Sequence, residues 1–301
     1  MKGRLVLVAT PIGNLGDLSD RALAALRDAD VVACEDTRRT GALLHRFGVS
    51  AKRLMVVNEH TEVDRIPEVI GLLAGGATVA LCSDAGSPAI SDPGERIVRA
   101  AVDAGIDVTA VPGPSAAVMA LGISGLATGR WVFEGFLPRS GSGRTERLAD
   151  LATEHRTAVV YEAPHRVART IDDLARACGG DRAVVLAREL TKLHEDVWRG
   201  TLEDARLHLA ARDPLGEYVI VLAGAPPEGP ADDDRIRAAL RERLAAGSST
   251  KSAVAEVTAA LKAPKRTVYD LALGLAAAER AAAAATGESA TSPVASPPDH
   301  R

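Results

Sequence analysis

The chain has 301 residues, 47% of them hydrophobic and only 3% aromatic, with 36 Lys and Arg against 40 Asp and Glu for a formal net charge of −4. That length suffices for two domains of ordinary size and a small third piece, with cores built from Ala, Val, Leu and Ile. The charge excludes a protein that coats nucleic acid through bulk positive charge, though a local basic patch is compatible with it, and the absence of any membrane-length apolar run or signal-peptide pattern points to a cytoplasmic protein.

Residues 1–113 repeat one unit. Five short apolar runs predict strands: RLVLVAT (4–10), DVVACE (30–35), RLMVVN (53–58), TVALCSD (78–84) and DVTAVPG (107–113). Segments with helical spacing lie between most of them, including DLSDRALAALRDA with Asp17 or Ser19 as its N-cap, and DRIPEVIGLLAGG and PGERIVRAAVDAG, each ending in Gly. Strand and helix in alternation predict a parallel sheet covered on both faces. Each strand runs into a polar or Gly/Pro cluster: TPIGNLGD, EDTRRT, NEHTE, SDAGSPAISDPG and PGPSA. Ligands of open parallel sheets bind outside the carboxyl ends of the strands, so the five clusters are expected along one edge. The fourth cluster, residues 83–94, places two Asp, two Pro and two Gly where no strand can continue. Two successive turns there are expected to wall a ligand with backbone amides and carbonyls.

Residues 114–224 read as a second α/β domain with a mixed sheet. Its strand runs are RWVFEGFLP, TAVVYEAPHR, RAVVLAREL, EDVWRGT and EYVIVLAG, separated by helical segments 142–155, 165–178 and 201–212. The joint lies near PGPSAAVMALGISG, where a helix over 116–121 crosses between the domains. APPEGPADDD (225–234) reads as a linker. Residues 231–280 predict a small helical domain in which STKSAVAEV and PKRTVYDLA resemble a helix-turn-helix carrying Lys251, Lys262, Lys265 and Arg266. Residues 281–301 are low in complexity and expected to be disordered. Cys34, Cys82 and Cys178 are scattered and read as reduced thiols.

No G-x-G-x-x-G follows the first strand, and neither a P-loop nor a G-x-S-x-G elbow is present. The seven His do not cluster as metal ligands, so no metal is predicted. The sheet is therefore expected to hold a ligand that needs neither a pyrophosphate cradle nor a metal.

Seven motifs then fall in order over about residues 4–224: ATPIGNLGDLSDRAL, ACEDTRRTGALL, LCSDAGSPAISDPGERIVRAA, VPGPSAAVMAL, FEGFLPR, VVYEAPHR and LARELTKLHED. Together they resemble the small-subunit ribosomal RNA 2′-O-methyltransferases that act on a cytidine of the decoding region, S-adenosylmethionine enzymes of the tetrapyrrole-methylase superfamily. EDTRRT, SDAGSPAISDPG and YEAPHR set these RNA enzymes apart from their porphyrin-methylating relatives. The resemblance implies two α/β domains with the cofactor, S-adenosyl-L-methionine, in the cleft between them. It also implies a small C-terminal helical domain, a homodimer, and 16S ribosomal RNA in the small ribosomal subunit as substrate. The chain departs from the pattern at Ser87, where Thr is commoner, and at Ala163, where Ser is commoner. Asn58 and Thr61 stand where the family usually shows His and Asn, so no essential side-chain role is expected at those two positions.

The resemblance places the cofactor on Pro11, Ser83, Asp84, Ala85, Ile90, Ser115, Ala116 and Tyr161. In-line methyl transfer mainly requires that the ribose hydroxyl be held against the methyl group, with a proton acceptor to assist. Candidate catalytic residues are Glu35 and Asp36 at a strand end, and Glu189 and Lys192 in RELTK. Phosphate contacts are expected from Arg38, Arg39, Arg139, Arg144, His165 and Arg166, with Arg147 and Lys192 nearby. Two rival readings are a tetrapyrrole methylase with a planar macrocyclic substrate and a noncatalytic ribosome-assembly factor.

Overall fold

Val31, Val32, Ala33 and Cys34 are all buried, as a central parallel strand between two helical layers requires. In the computed structural model, which describes residues 3–226 and 231–287, five such strands form one sheet. They are β1 (Arg4–Val8), β2 (Val31–Cys34), β3 (Leu54–Val56), β4 (Thr78–Cys82) and β5 (Asp107–Val111), all parallel, in the order β3-β2-β4-β1-β5. Alternate side chains feed two cores. Leu5, Ala33, Val79 and Leu81 pack against α3 (Glu62–Ala74) and α4 (Glu95–Asp103). Val6, Val8, Val32 and Ala80 pack against α1 (Asp20–Asp28) and α2 (Thr37–Arg46). Helix α2 is an addition to the sequence-based expectation. EDTRRT reads as a polar cluster, but the Asp36 side chain accepts from the Arg38 amide as an N-cap, and Thr40 and Leu44 are buried one turn apart.

Helix α5 (Ala116–Ser124) leads to the second sheet: β6 (Trp131–Phe136), β7 (Thr157–Glu162), β8 (Ala183–Arg188), β9 (Asp196–Thr201) and β10 (Tyr218–Leu222). Their order is β6-β7-β10-β8-β9, and only β6 and β7 run parallel, giving the mixed sheet expected. One face buries Val160, Leu186 and Ile220 beneath α6 (Ser142–Thr153), α7 (Pro164–Cys178) and α8 (Leu202–Ala210). The other face packs Val159, Val185 and Val221 against Ala117, Ala120 and Leu121 of α5. Each fully buried Leu or Ile here, such as Ile171 or Leu174, contributes about 1.5–3 kcal/mol. Cys34 and Cys82 are free, buried and side by side in β2 and β4.

Met1–Ala225 form one compact unit, and a second begins at Pro226. In the second unit α9 (Asp233–Ala245), α10 (Thr250–Leu261) and α11 (Lys265–Gly287) surround Ile236, Leu240, Val254, Val257 and Val268. Lys262 at the left-handed C-cap of α10 and Pro264 make the sharp corner that leads into α11. Helix α11 continues through residues 281–287, the start of the stretch expected to be disordered. Residues 288–301 of that tail and 227–230 of the linker lie outside the described residues. Among the described residues no helix is long and apolar enough to cross a membrane, and no His/Cys/Asp/Glu group is arranged to hold a metal.

Candidate active site

Strands β1 and β4 are neighbours, and their exits are tied together. Thr10 and Gly86 exchange two backbone hydrogen bonds of 2.8 and 3.1 Å, and the Thr10 hydroxyl donates to the Ser83 carbonyl at 3.1 Å. After Gly86 the chain turns twice, with Ala89 and Ser91 both left-handed at φ 67° and 61°. Such backbone costs about 1–3 kcal/mol per residue and persists only where the surroundings enforce it. The enforcement comes from below. Buried Glu62 of α3 accepts from the amides of Gly94, Arg96 and Ile97 at 3.0, 2.9 and 3.3 Å, capping α4 in place of a side chain of its own. Gly94, at φ 131° and with a would-be Cβ 2.7 Å from the Leu81 side chain, is a position where any other residue would be strained. The double turn is thus a rigid wall. The amides of Ala85, Ser87 and Ser91 in it donate to no protein acceptor among the described residues, and all three residues line a cavity. Backbone donors left unpaired at a concave wall suit a polar ligand.

The facing wall belongs to the second sheet. The Tyr161 hydroxyl of β7 accepts from the Ala117 amide at the start of α5, at 3.1 Å. Its ring meets the edges of Phe133 and Phe136 at 5.0 and 5.7 Å. Burial pushes the Tyr161 phenol up from its ordinary value. Between the walls lies a cavity of about 380 Å³, lined by Ala85, Ile90, Ser115, Ala116 and Tyr161 among others. A smaller chamber of about 230 Å³ is lined by Pro11, Ser83, Asp84 and Arg39. Ile12, Ala85, Lys192 and Glu217 line both, so the two chambers adjoin. The eight residues expected to bind cofactor therefore surround one two-part cleft.

Lys192 stands where the chambers meet. The first loop presses on it: a Cβ at Gly13 would lie 2.4 Å from its side chain, and the Asn14 amide donates to the Thr191 hydroxyl at 3.1 Å. The Lys192 ammonium donates to Glu189 at 2.8 Å and to Glu217 at 2.9 Å. Partial burial alone would lower its pKa, but the two carboxylates outweigh it and the pKa rises. Lys192 is therefore a fixed cation at neutral pH, not a base. Glu189 lines neither chamber. Its carboxylate also accepts from the Glu217 amide at 2.9 Å, and its side chain fills the space that a Cβ on Gly216 would need. Burial would raise its pKa, but the Lys192 ammonium and that amide bring it below the usual range. Its role here is to anchor Lys192.

The other candidate acids separate. Asp36 caps α2 and pairs with Arg38 at 3.0 Å, which holds its carboxyl at about 2 and leaves it a poor proton acceptor. Asp84 accepts from the Asp36 amide and pairs with Arg39, both at 3.2 Å. Glu35 is pushed up by burial and by the Asp84 charge. Asp92, absent from the sequence-based candidates, lines the larger chamber. Burial pushes it up to about 6 against a bond from the Ser83 hydroxyl, with Glu35 and Asp84 adding to the rise. In the sequence, Ser-Asp-Pro-Gly reads only as turn grammar.

The residues expected to bind phosphate also divide. Arg38 and Arg39 keep 90% and 74% of their side chains exposed, and Arg139 and His165 are exposed as well. Arg166 is largely covered, donating to the Leu137 carbonyl at 2.6 Å and pairing with Glu162 at 3.1 Å. Arg147 pairs with Glu134 at 3.3 Å. Arg144 corrects the expectation. It is buried, and its guanidinium donates to Asp173 at 2.9 Å, the Pro138 carbonyl at 3.0 Å and the Thr170 hydroxyl at 3.0 Å. It fastens α6 to α7 and the β6 exit, and its burial keeps it from a phosphate.

A parallel five-stranded sheet and a mixed five-stranded sheet stand on either side of a loop-walled cleft, a fold with solved counterparts among methyltransferases. The fold is similar to solved structures of the methyltransferase CobJ (TM-score 0.57, 19% identity, 75% of this chain and 95% of that one) and diphthine synthase (0.56, 18%, 73% and 89%). It is also similar to uroporphyrin-III C-methyltransferase from Thermus thermophilus complexed with S-adenyl homocysteine (0.52, 18%, 73% and 97%). Over residues 4–206 the sequence matches the tetrapyrrole (corrin/porphyrin) methylases, and the chain belongs to that family. Among its relatives, ribosomal RNA small subunit methyltransferase I of Synechocystis sp. is 44% identical over 277 residues, 91% of this chain and 99% of that protein. Proteins of the same name from Xylella fastidiosa and Mycobacterium tuberculosis are 46% and 45% identical, over 89% and 90% of this chain and 98% and 95% of theirs.

Proposed function

We propose that this protein is an S-adenosylmethionine-dependent methyltransferase that acts on small-subunit ribosomal RNA, placing a methyl group on the ribose 2′-hydroxyl of a cytidine in the decoding region. The observation that carries the reading is the two-part cleft: a larger chamber with unpaired backbone donors adjoining a smaller one bordered by Arg39 and Lys192. The first suits a donor with adenine, ribose and amino-acid parts, and the cations bordering the second suit phosphates of an RNA strand that reaches the cleft. The names of the relatives, which align over about nine-tenths of the chain, support ribosomal RNA over a tetrapyrrole. So do the exposed Arg38, Arg39, Arg139 and His165, for which a macrocycle bound in the cleft would have less use.

When bound, S-adenosylmethionine supplies a sulfonium-activated methyl group. The chain's own part is placement and charge. Amides of Ala85, Ser87 and Ser91 serve as fixed donors that lose no side-chain entropy on binding. Lys192, held in place by Glu189 and Glu217, presents a permanent cation to a phosphate or to the developing alkoxide. Asp92, at about 6, is mostly ionised at neutral pH and retains enough basicity to receive a hydroxyl proton.

A homodimer fits the exposed face of α5. The helix carries no charged residue, and Val118, Met119 and Ile123 are 47%, 46% and 43% exposed. It follows β5, the open edge strand of the first sheet. A charge-free patch of this kind matches a second copy of itself about a two-fold axis. A ribosomal substrate places the protein in the cytoplasm. The test is a mass-spectrometric map of methylated ribose in small-subunit RNA after incubation with the protein and labelled donor. Methylation of one cytidine is expected. Label transfer to uroporphyrinogen instead, or donor binding with no methylated nucleotide, would overturn the reading.

A further inference from the structure

Strand β6 is irregular at one place. Its register against β7 shifts between Phe133 and Gly135, and Gly135 has φ 59°. Residues three apart in an uninterrupted strand point to opposite faces. Here the inserted residue re-aims the chain, and Phe133 and Phe136 both bring their rings to Tyr161. Glycine suits the bulge, because of its positive φ and because a Cβ would lie 2.9 Å from the Ser91 hydroxyl of the opposite wall. The result is unusual for a large apolar ring in a strand. Phe136 is 53% exposed, and it borders the larger chamber together with Ile90, which is 49% exposed. Just outside, Arg139 follows three residues later, and His165 stands three residues beyond the end of β7. Both are exposed, and neither has an ion-pair partner among the described residues.

We propose that Phe136 is a stacking platform for one unpaired nucleobase of the RNA substrate, a base subsite at the cleft mouth whose flanking phosphates meet Arg139 and His165. The inference rests on the RNA-methyltransferase reading above. A nucleotide whose ribose hydroxyl reaches into the cleft is drawn out of its helical stack, and a base so displaced needs a new face to stack on. A half-exposed ring beside Arg139 and His165 supplies that face. The donor's adenine is better served by the enclosed part of the chamber.

The test compares Phe136→Ala, Phe136→Leu and Phe136→Trp with the parent protein in steady-state methylation of small ribosomal subunits, with S-adenosylmethionine affinity measured separately by calorimetry. Loss of one stacked base predicts a rise in KM for the subunit of about 10- to 100-fold for Phe136→Ala. Donor affinity stays within about twofold. Leucine, which keeps the apolar bulk and the fold, fails to restore KM, and tryptophan restores it. Parental KM in Phe136→Ala, full rescue by leucine, or a loss of donor affinity equal to the rise in KM would each overturn the subsite. Inactivity of the parent protein on small subunits would sink the reading in the preceding section and the subsite with it.

Discussion

Replacing Arg144 by methionine keeps most of the apolar stem and removes a guanidinium that is 5% exposed. Breaking one partner of a buried ion pair ordinarily costs about 3–5 kcal/mol, because the other charge is left without compensation. Here Asp173 would keep Arg176 at 2.6 Å and Arg169 at 3.8 Å. Thr170 would still donate to Glu162 at 2.7 Å. The Pro138 carbonyl alone loses a partner that nothing replaces. We therefore place the cost at about 2–3 kcal/mol, at or just below the lower end of that range. For a unit of 225 residues this corresponds to a fall in Tm of about 4–12 °C. The assay is a thermal melt paired with RNA binding at several salt concentrations. Arg144→Met should melt early yet keep the parental salt dependence. Arg39→Gln, which removes an exposed cation at the cleft, should keep its Tm and lose about 0.7–0.9 from the salt slope. A variant at position 144 with parental Tm and a reduced salt slope would refute the argument and return Arg144 to the RNA interface.

Asp92 has a folded pKa of about 6, above its ordinary value of 3.8, so it holds a proton in the folded state that the unfolded state has already released. Stability therefore falls as pH rises from about 4 to about 6, and the penalty is complete above that. Asp92→Asn should match the parent below pH about 4 and exceed it by about 1–2 kcal/mol above pH about 6, after discounting for partial exposure. Denaturant melts across that range decide it, and a pH-independent difference would contradict the assignment. Glu62→Gln weakens three amide contacts at the α4 N-terminus and should cost about 1–2 kcal/mol, with faster amide exchange over residues 88–94. Unchanged exchange there would show that the wall does not depend on Glu62. Val118→Glu on α5 should convert a dimer to monomer in sedimentation, and a persistent dimer would place the interface elsewhere.

The strands and the wall of the cleft were legible because their causes are local. An apolar run such as TVALC has to be buried on both faces, and a stretch with Pro and Gly every few residues has to turn, wherever the rest of the chain lies. Helix α2 was hidden because its cap and first turn, EDTRR, have the composition of a loop, and its helical character comes from Thr40 and Leu44 packing beneath the sheet. The same limit applies more sharply to charge. Arg144 and Arg39 are alike as letters in polar stretches. One is surrounded by α7 and the β6 exit, the other only by Asp84 at the rim. Lys192 reads as a possible base until Glu217, 25 residues further on, is brought to 2.9 Å. Asp92 reads as a turn residue until Ser83, Glu35 and Asp84 gather round it. A side chain's protonation state depends on partners from distant segments, and no local pattern records them. Phe136 lies between these cases. The glycine inside FEGF is a local sign of a bulge, but the exposure of the ring follows only once Ser91 and Tyr161 fix which way the bulge points.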